Sequence, residues 1–542
     1  MKVKKECTKQ KLNGVYYTPY KLAFFICNLY KDCKISKILE PSCGQGVFIE
    51  ALCNNGVINN VKEVVGVEYD KTASTITKNK FKKFKKVKIK NQDFLEYYKK
   101  NENSKYDLIV GNPPYIRYQY LKEEQRINQS DILKKVGMKS NKLINAWVCF
   151  LVACVNLLND NGKIAFVIPA EILQVAYAEE LRMYLSKKLS KITLITFNSI
   201  IFPDIEQETL VLIGEKGNEE KGIRIIELND LEDLDNFNYN EDGYQKMNHS
   251  KEKWLKYFIS NKENELFDEI KKNKCFKKFS DFGIINVGIT TGNNDYFSIS
   301  DETSKKYELD NICLPLIGRS SHAESIFFTK KDLENNIISG KKAKLVCFPD
   351  SDYNEYPEKN KDYIKFGLDN QVNEGYKCSI RDKWYIVPSV WIPDAFFLRR
   401  NNVYPKFVLN QCDAVSTDTM HRIKFYDNVN KEKVLLSYYN SISFAFTEIC
   451  GRSYGGGVLE ILPGEVGNIM LPDLSGMDEN VVHGLVNFVD EQIRKNTNIE
   501  TILDVIDKEV LIKYLKMDVE VCKDFRNMWN KMKNRRLDRG KK

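Results

Sequence analysis

The sequence predicts an α/β fold. A doubly wound, mostly parallel sheet occupies the first 215 residues, a second α+β domain follows, and the chain ends in helix. Two observations predict this. Between residues 35 and about 215, apolar strand-like runs alternate with amphipathic helix-like runs, as βα units around a parallel sheet require. From residue 276 to about 472 the pattern changes to short β-like runs between Gly, Asn, Pro and Asp clusters, and aromatics become frequent. From 476 onward it reads as helix. The 542 residues are enough for several domains and a large core. The expected divisions are 1–235, a connector at 236–275, a domain at 276–480 and a helical segment with a basic tail at 481–542.

Taken in order, strands are expected at 37–39, 64–67, 87–89, 108–110, 163–168, 191–197 and 209–214. Helices are expected at 47–54, 145–158 and 178–190. The connector is polar, with Asn- and Asp-rich runs and one helix near 253–273. No internal repeat or long low-complexity segment interrupts the chain. The stretch 71–90 carries nine lysines and no acid, and reads mainly as a solvated helix face.

Formal charge is +9, with 83 Lys and Arg, which leans toward a polyanionic partner. The 14 cysteines are scattered without a CxxC pair, and only 4 histidines are present, so no metal site is expected. They read as reduced thiols of a cytoplasmic protein. The first ten residues are charged and lack an apolar core, so no signal peptide is expected. The longest apolar stretch, 146–158, is too short and too polar to span a bilayer, and no membrane association is expected.

Four successive strand ends carry Glu40, Glu68, Asp93 and Asn112, at the edge where open α/β sheets do their chemistry. Glu40 is followed by Pro41-Ser42-Cys43-Gly44-Gln45-Gly46, a tight turn into a helix. Gly44 and Gly46 let the backbone approach a ligand closely at positive φ, and the helix start can face a carboxylate. Glu40 can accept from an ammonium group and Glu68 can hold both hydroxyls of a ribose. Asp93 can accept from a purine amino group while Phe94 packs on the ring. A dinucleotide fingerprint does not fit, because Ile49 stands where its third glycine belongs. The last strand end is Asn112-Pro113-Pro114-Tyr115. The asparagine oxygen and the Pro113 carbonyl can accept both hydrogens of an –NH2 group, the prolines stiffen the turn, and Tyr115 offers a stacking face.

These residues resemble the S-adenosylmethionine-dependent amino methyltransferases that act on DNA adenine, in the gamma (Taq-type) order. That order is an N-terminal TP motif (Gly14-Val15-Tyr16-Tyr17-Thr18-Pro19 here), the glycine loop, NPPY, then a target-recognition domain. The resemblance covers the first 215 residues and continues more weakly beyond. It implies a Rossmann-like class I sheet of seven strands, S-adenosylmethionine as cofactor, and double-stranded DNA as partner. Thr18, Glu40 and the Ser42–Gly46 backbone would hold the methionine part, Glu68 the ribose, and Asp93 and Phe94 the adenine, with Phe150 edge-on against it. Asn112, Pro113, Pro114 and Tyr115 would act on N6 of a flipped-out adenine, with Phe202 of the Phe202-Pro203 pair covering the base. The implied role is the modification enzyme of a restriction-modification system, a monomer with a possible cognate endonuclease.

In the C-terminal half, loops at 287–297, 384–388 and 451–457 look like this family's recognition segments. Lys383, Arg452 and Tyr454 are the candidate DNA contacts. The tail 523–542 holds nine basic and two acidic residues, suited either to non-specific DNA affinity or to a solvated helix end. Four other activities fit parts of the same pattern. NPPY also occurs in enzymes that methylate a glutamine amide of release factors, but those carry their extra domain ahead of the sheet. RNA adenine methylation shares the chemistry. A non-catalytic DNA specificity subunit would have a damaged NPPY. A fused nuclease would need Pro349-Asp350 with Glu358 and Lys359, at poor spacing.

Overall fold

A computed structural model describes residues 18–202, 208–218, 222–240, 242–247, 252–454 and 456–539. It divides into two compact units, one up to Asn261 and one from Lys262 onward. The boundary falls inside the segment read as a connector.

The first unit is built on one sheet. Its strands are β1 (Lys37–Glu40), β2 (Glu63–Glu68), β3 (Val87–Asn91), β4 (Tyr106–Gly111), β5 (Leu158–Pro169), β6 (Lys191–Phe197), β7 (Thr209–Glu215), β8 (Gly222–Leu228) and β9 (Gln245–Lys246), in spatial order 3-2-1-4-5-7-6-8-9. All seven expected strands form, and β8 and β9 extend the sheet beyond them. β1 pairs in parallel with both β2 and β4, while β7 runs antiparallel between β5 and β6. The centre reads as continuous apolar runs because both faces are covered, as parallel sheets demand. β4 is buried at Leu108, Ile109 and Val110, and β7 at Leu210, Val211 and Leu212.

β8 was missed because its sequence, GIRIIEL, places a charge mid-strand. Arg224 is nevertheless buried. Its Nε donates to Thr193 Oγ1 at 3.0 Å, and its guanidinium lies 4.7 and 4.5 Å from the Tyr239 and Tyr244 ring centroids. Long-range partners thus satisfy a cation that reads locally as a surface residue.

Helices that frame the site are α1 (Tyr20–Asn28), α2 (Val47–Asn54), α3 (Lys71–Lys80), α4 (Phe94–Lys100), α5 (Glu123–Lys135) and α6 (Ala146–Asn156). Asp70 caps α3 by accepting from Ala73 N at 2.8 Å. The lysine-rich stretch is therefore helix only to Lys80, after which a turn leads into β3. Helix α6 is buried from Ala146 to Val155, so its apolar run is core. Among the described residues no helix is long and apolar enough to cross a membrane.

The second unit holds a five-stranded sheet with Gly283–Val287 at one edge and Phe327–Phe328 at the other, plus smaller sheets. Its last helix, Val519–Asp538, buries Phe525, Met528, Trp529 and Arg536. Phe267 stacks edge-on against Phe446 and Phe525 at 4.8 and 5.1 Å. The basic tail is accordingly a docked helix. Arg536 is 1% exposed and pairs with Glu448 at 2.7 Å, and buried Lys533 pairs with Glu500 at 3.1 Å. Neither reading offered for the tail fits these two residues, because acids and carbonyls of the same unit already hold them.

Candidate active site

The strand order reverses between β1 and β4, so their C-terminal ends flank the crevice where open α/β sheets bind ligands. A cavity of about 750 Å³ lies there. Its wall includes Thr18, Glu40, Ser42, Gly44, Glu68, Asp93, Phe94, Asn112, Pro113, Pro114 and Phe150. Residues from distant parts of the sequence are thereby gathered around one space. Gly14 to Tyr17 of the TP motif lie outside the described residues.

The glycine loop is held from both sides. Gly44 N donates to Glu68 Oε2 at 2.8 Å, and buried Thr77 of α3 donates through Oγ1 to Gly44 O at 2.7 Å. Gly46 itself is the turn, with φ +80°. A Cβ on it would sit 2.6 Å from the Phe81 ring and 2.9 Å from Thr77 Cγ2. Any side chain there would be strained and would also push α3 away.

Glu40 is 1% exposed, and its Oε2 has no hydrogen-bond partner among the described residues. Burial pushes its carboxyl well above the ordinary range, the Glu68 charge pushes the same way, and the Ile49 N–H opposes them. Glu68 is also raised by burial, against N–H donors from Asp70 and Gly44. Two acids held against their own ionisation form a cradle that a cationic ligand would relieve.

Asp93 does two things. Its Oδ1 caps α4, accepting from Leu95 N at 2.8 Å and Glu96 N at 3.3 Å. Its Oδ2 accepts from Gln125 Nε2 at 2.8 Å. Phe94 and Phe150 meet with centroids 4.8 Å apart, giving the cavity an aromatic corner. Asn112 is fixed at two points. Ser42 Oγ donates to its backbone carbonyl at 3.0 Å, and its Nδ2 donates to Thr18 Oγ1 at 3.2 Å.

Tyr115 and Phe202 do not line the cavity. The Tyr115 hydroxyl donates to Val167 O at 3.0 Å and its ring is buried. Phe202 packs in the hydrophobic core with Ile201 and Phe197, so the cover expected over a base is not formed by it here; Pro203 lies outside the described residues. In the second unit Lys383 Nζ is bound by Asp350 Oδ1 at 2.6 Å and Arg452 Nε by Glu465 Oε1 at 2.8 Å. The Lys383 pair lies at the surface, with Asp350 77% exposed, whereas Arg452 and Glu465 are both largely enclosed. Of Tyr454 the backbone strand is described and the side chain is not. Asp350, the acid of the nuclease reading, is thus the partner of Lys383. Among the described residues no group of three or more His, Cys, Asp or Glu is placed to hold a metal.

The sequence reading missed the N-terminus of α5. Tyr69, Lys122, Gln125 and Gln129 also line the cavity. Lys122 N donates to Gln125 Oε1 at 3.1 Å, the reciprocal half of a capping box. A Ser or Thr at the cap position would have signalled it, and lysine hid it.

Comparison with known proteins places these features in company. Residues 18–202 match the family described as Eco57I restriction-modification methylase. Residues 251–511 match the C-terminal domain of the Type II methyltransferase M.Eco57I. Type II methyltransferase M.AccI of Acinetobacter calcoaceticus is 26% identical over 535 residues, covering 92% of this chain and 93% of that protein. M.HindII of Haemophilus influenzae is 26% identical over 340 residues, 58% of this chain and 60% of its own length. The modification methylase CviBIII of Paramecium bursaria Chlorella virus NC1A is 32% identical over 185 residues, 33% of this chain and 44% of its own. The solved structure of the restriction-modification enzyme MmeI in complex with DNA shares the fold, with TM-score 0.57 at 13% identity over 97% of this chain and 77% of that one.

Proposed function

Since the chain is a gamma-class DNA methyltransferase with a C-terminal domain, we propose that it methylates the N6 amino group of an adenine turned out of duplex DNA, using S-adenosylmethionine. The supporting observation is that Asn112, Pro113 and Pro114 share one cavity wall with Glu40, Glu68 and Asp93. An amine-holding turn and a cradle for an aminoacyl nucleoside meet in one space.

The residues fit that cofactor. The unpartnered Oε2 of buried Glu40 suits an ammonium group, Glu68 the ribose hydroxyls, and Asp93 with the Phe94–Phe150 corner the purine. Bound there, S-adenosylmethionine supplies a methyl group already activated by its sulfonium. The protein's task is to position the amine and free its lone pair. Asn112 Oδ1 and the Pro113 carbonyl accept the two amine hydrogens and draw the nitrogen out of conjugation. As positive charge builds on nitrogen these fixed dipoles bind it more strongly, which stabilises the transition state rather than the ground state. The bonds from Ser42 and to Thr18 hold Asn112 in place beforehand. No tuned base is needed, because a methylated ammonium loses its proton to water.

A paired adenine cannot reach this turn, so the base must leave the helix. Tyr115, its hydroxyl tied to Val167 O, would offer its face to the base. The region 276–480 would read the DNA sequence, and the enzyme would act as a monomer, the modifying half of a restriction-modification pair.

The test is transfer of labelled methyl to duplex DNA, followed by digestion to nucleosides. Label should appear in N6-methyldeoxyadenosine. Asn112→Ala should lower turnover by about 100- to 1,000-fold, the scale for losing one transition-state dipole, with cofactor affinity nearly unchanged. Label in a methylated cytosine, or full turnover without the amide, would sink the reading.

A further inference from the structure

We propose that Gln125 is a positioning residue for the purine of the bound cofactor, acting through Asp93. This rests on the cofactor reading above and extends it to a residue outside the strand-end series. The Asp93 carboxylate has one oxygen committed to capping α4. With Oδ1 alone held, the carboxylate could still pivot. The bond from Gln125 Nε2 to Oδ2, at 2.8 Å, removes that freedom.

Gln125 is itself held. Its Oε1 accepts from Lys122 N at 3.1 Å. Lys122 Nζ in turn bonds the Tyr69 hydroxyl at 2.6 Å and sits 5.3 Å from that ring's centroid. The connected series Tyr69, Lys122, Gln125, Asp93 therefore ties the loop after β2, the start of α5 and the start of α4 together, and all four residues line the cavity. The start of α5 is thus a wall of the adenosine end.

The chemistry follows from lone-pair arithmetic. A carboxylate oxygen accepts more than one hydrogen bond. With Gln125 on one side of Oδ2, the remaining acceptor direction is fixed, and an exocyclic amine satisfies it. A purine with an oxo group at the same position presents an acceptor to that oxygen and is repelled. Gln125 should therefore set the preference for a 6-amino over a 6-oxo purine.

The test measures binding of S-adenosylhomocysteine and S-inosylhomocysteine to the full chain by calorimetry. Wild type should prefer the adenosyl compound. Gln125→Ala should lose about tenfold for the adenosyl compound, as expected when a hydrogen bond to a charged group is removed, and about twofold or less for the inosyl compound. Gln125→Met, which keeps the length of the side chain but removes the donor to Asp93 Oδ2, gives a second readout and should lose the preference as Gln125→Ala does. Equal losses for both compounds, or none, would overturn the assignment. A wild type that binds neither compound would instead bring down the cofactor reading, and this inference with it.

Discussion

Glu40 shows how a single residue trades stability for binding. It is buried with no counter-ion among the described residues, and that burial raises its folded-state pKa above its unfolded value. Its contribution to stability is fully present below the unfolded carboxyl range, about 4.3, and is lost as pH rises through the folded value. The ionised form is the one that binds an ammonium, so cofactor affinity should move the opposite way, rising with pH. Glu40→Gln should stabilise the unliganded protein at about pH 8, where the wild-type acid is held against its own ionisation. It should also flatten the pH dependence of S-adenosylhomocysteine binding and weaken that binding. Thermal unfolding and calorimetry across pH would check both; a variant destabilised at pH 8 with wild-type affinity would count against this account. The acid was legible in the sequence because it ends a strand, as were Glu68, Asp93 and Asn112. The second bond of Asp93, to Gln125, was not, because it depends on where α5 lands.

Elements were legible where period and burial agree. Six of the seven expected strands read as apolar runs because both faces are covered; β3, at the sheet edge, alternates Val and Ile with Lys instead. β8 did not, since Arg224 hides in a pocket of Thr193 and two tyrosines that only the tertiary fold supplies. The reversed direction of β7 leaves no mark in an apolar run. The C-terminal helix is the sharper lesson: its charge suggested an exposed arm, yet Trp529 and Arg536 are buried. Arg536 donates to both Glu448 oxygens, at 2.7 and 3.1 Å, and to the Asn402 and Gly457 carbonyls. Arg536→Met leaves Glu448 buried and uncompensated, which should cost about 3–5 kcal/mol. The double change Glu448→Leu with Arg536→Met should recover most of it, since apolar replacement of a whole buried pair is often neutral. Urea unfolding of the full chain would show whether the double variant is the more stable; a mild single effect would mean the pair is not what docks the helix.

At the scale of the whole molecule, two compact units answer to two different matches along the chain. The first contains every residue assigned to chemistry, and the cavity lies wholly within it. The second was the less legible half. Its short strands and loops predict a class, α+β, but not which cations already have an acid beside them: Lys383 is in a surface pair with Asp350, and Arg452 is in a more enclosed pair with Glu465. A recognition surface is set by what the fold leaves unneutralised, and no local pattern reports that. The claim on which all else depends is that an exocyclic adenine nitrogen is the methyl acceptor. The most direct measurement is modification-sensitive single-molecule sequencing of DNA from a host expressing the wild-type chain, beside a host expressing Asn112→Ala. N6-methyladenine at one recurrent sequence, present with the wild type and absent with the variant, is the predicted result. Unmodified adenines in both hosts, or methyl groups on cytosine, would contradict it.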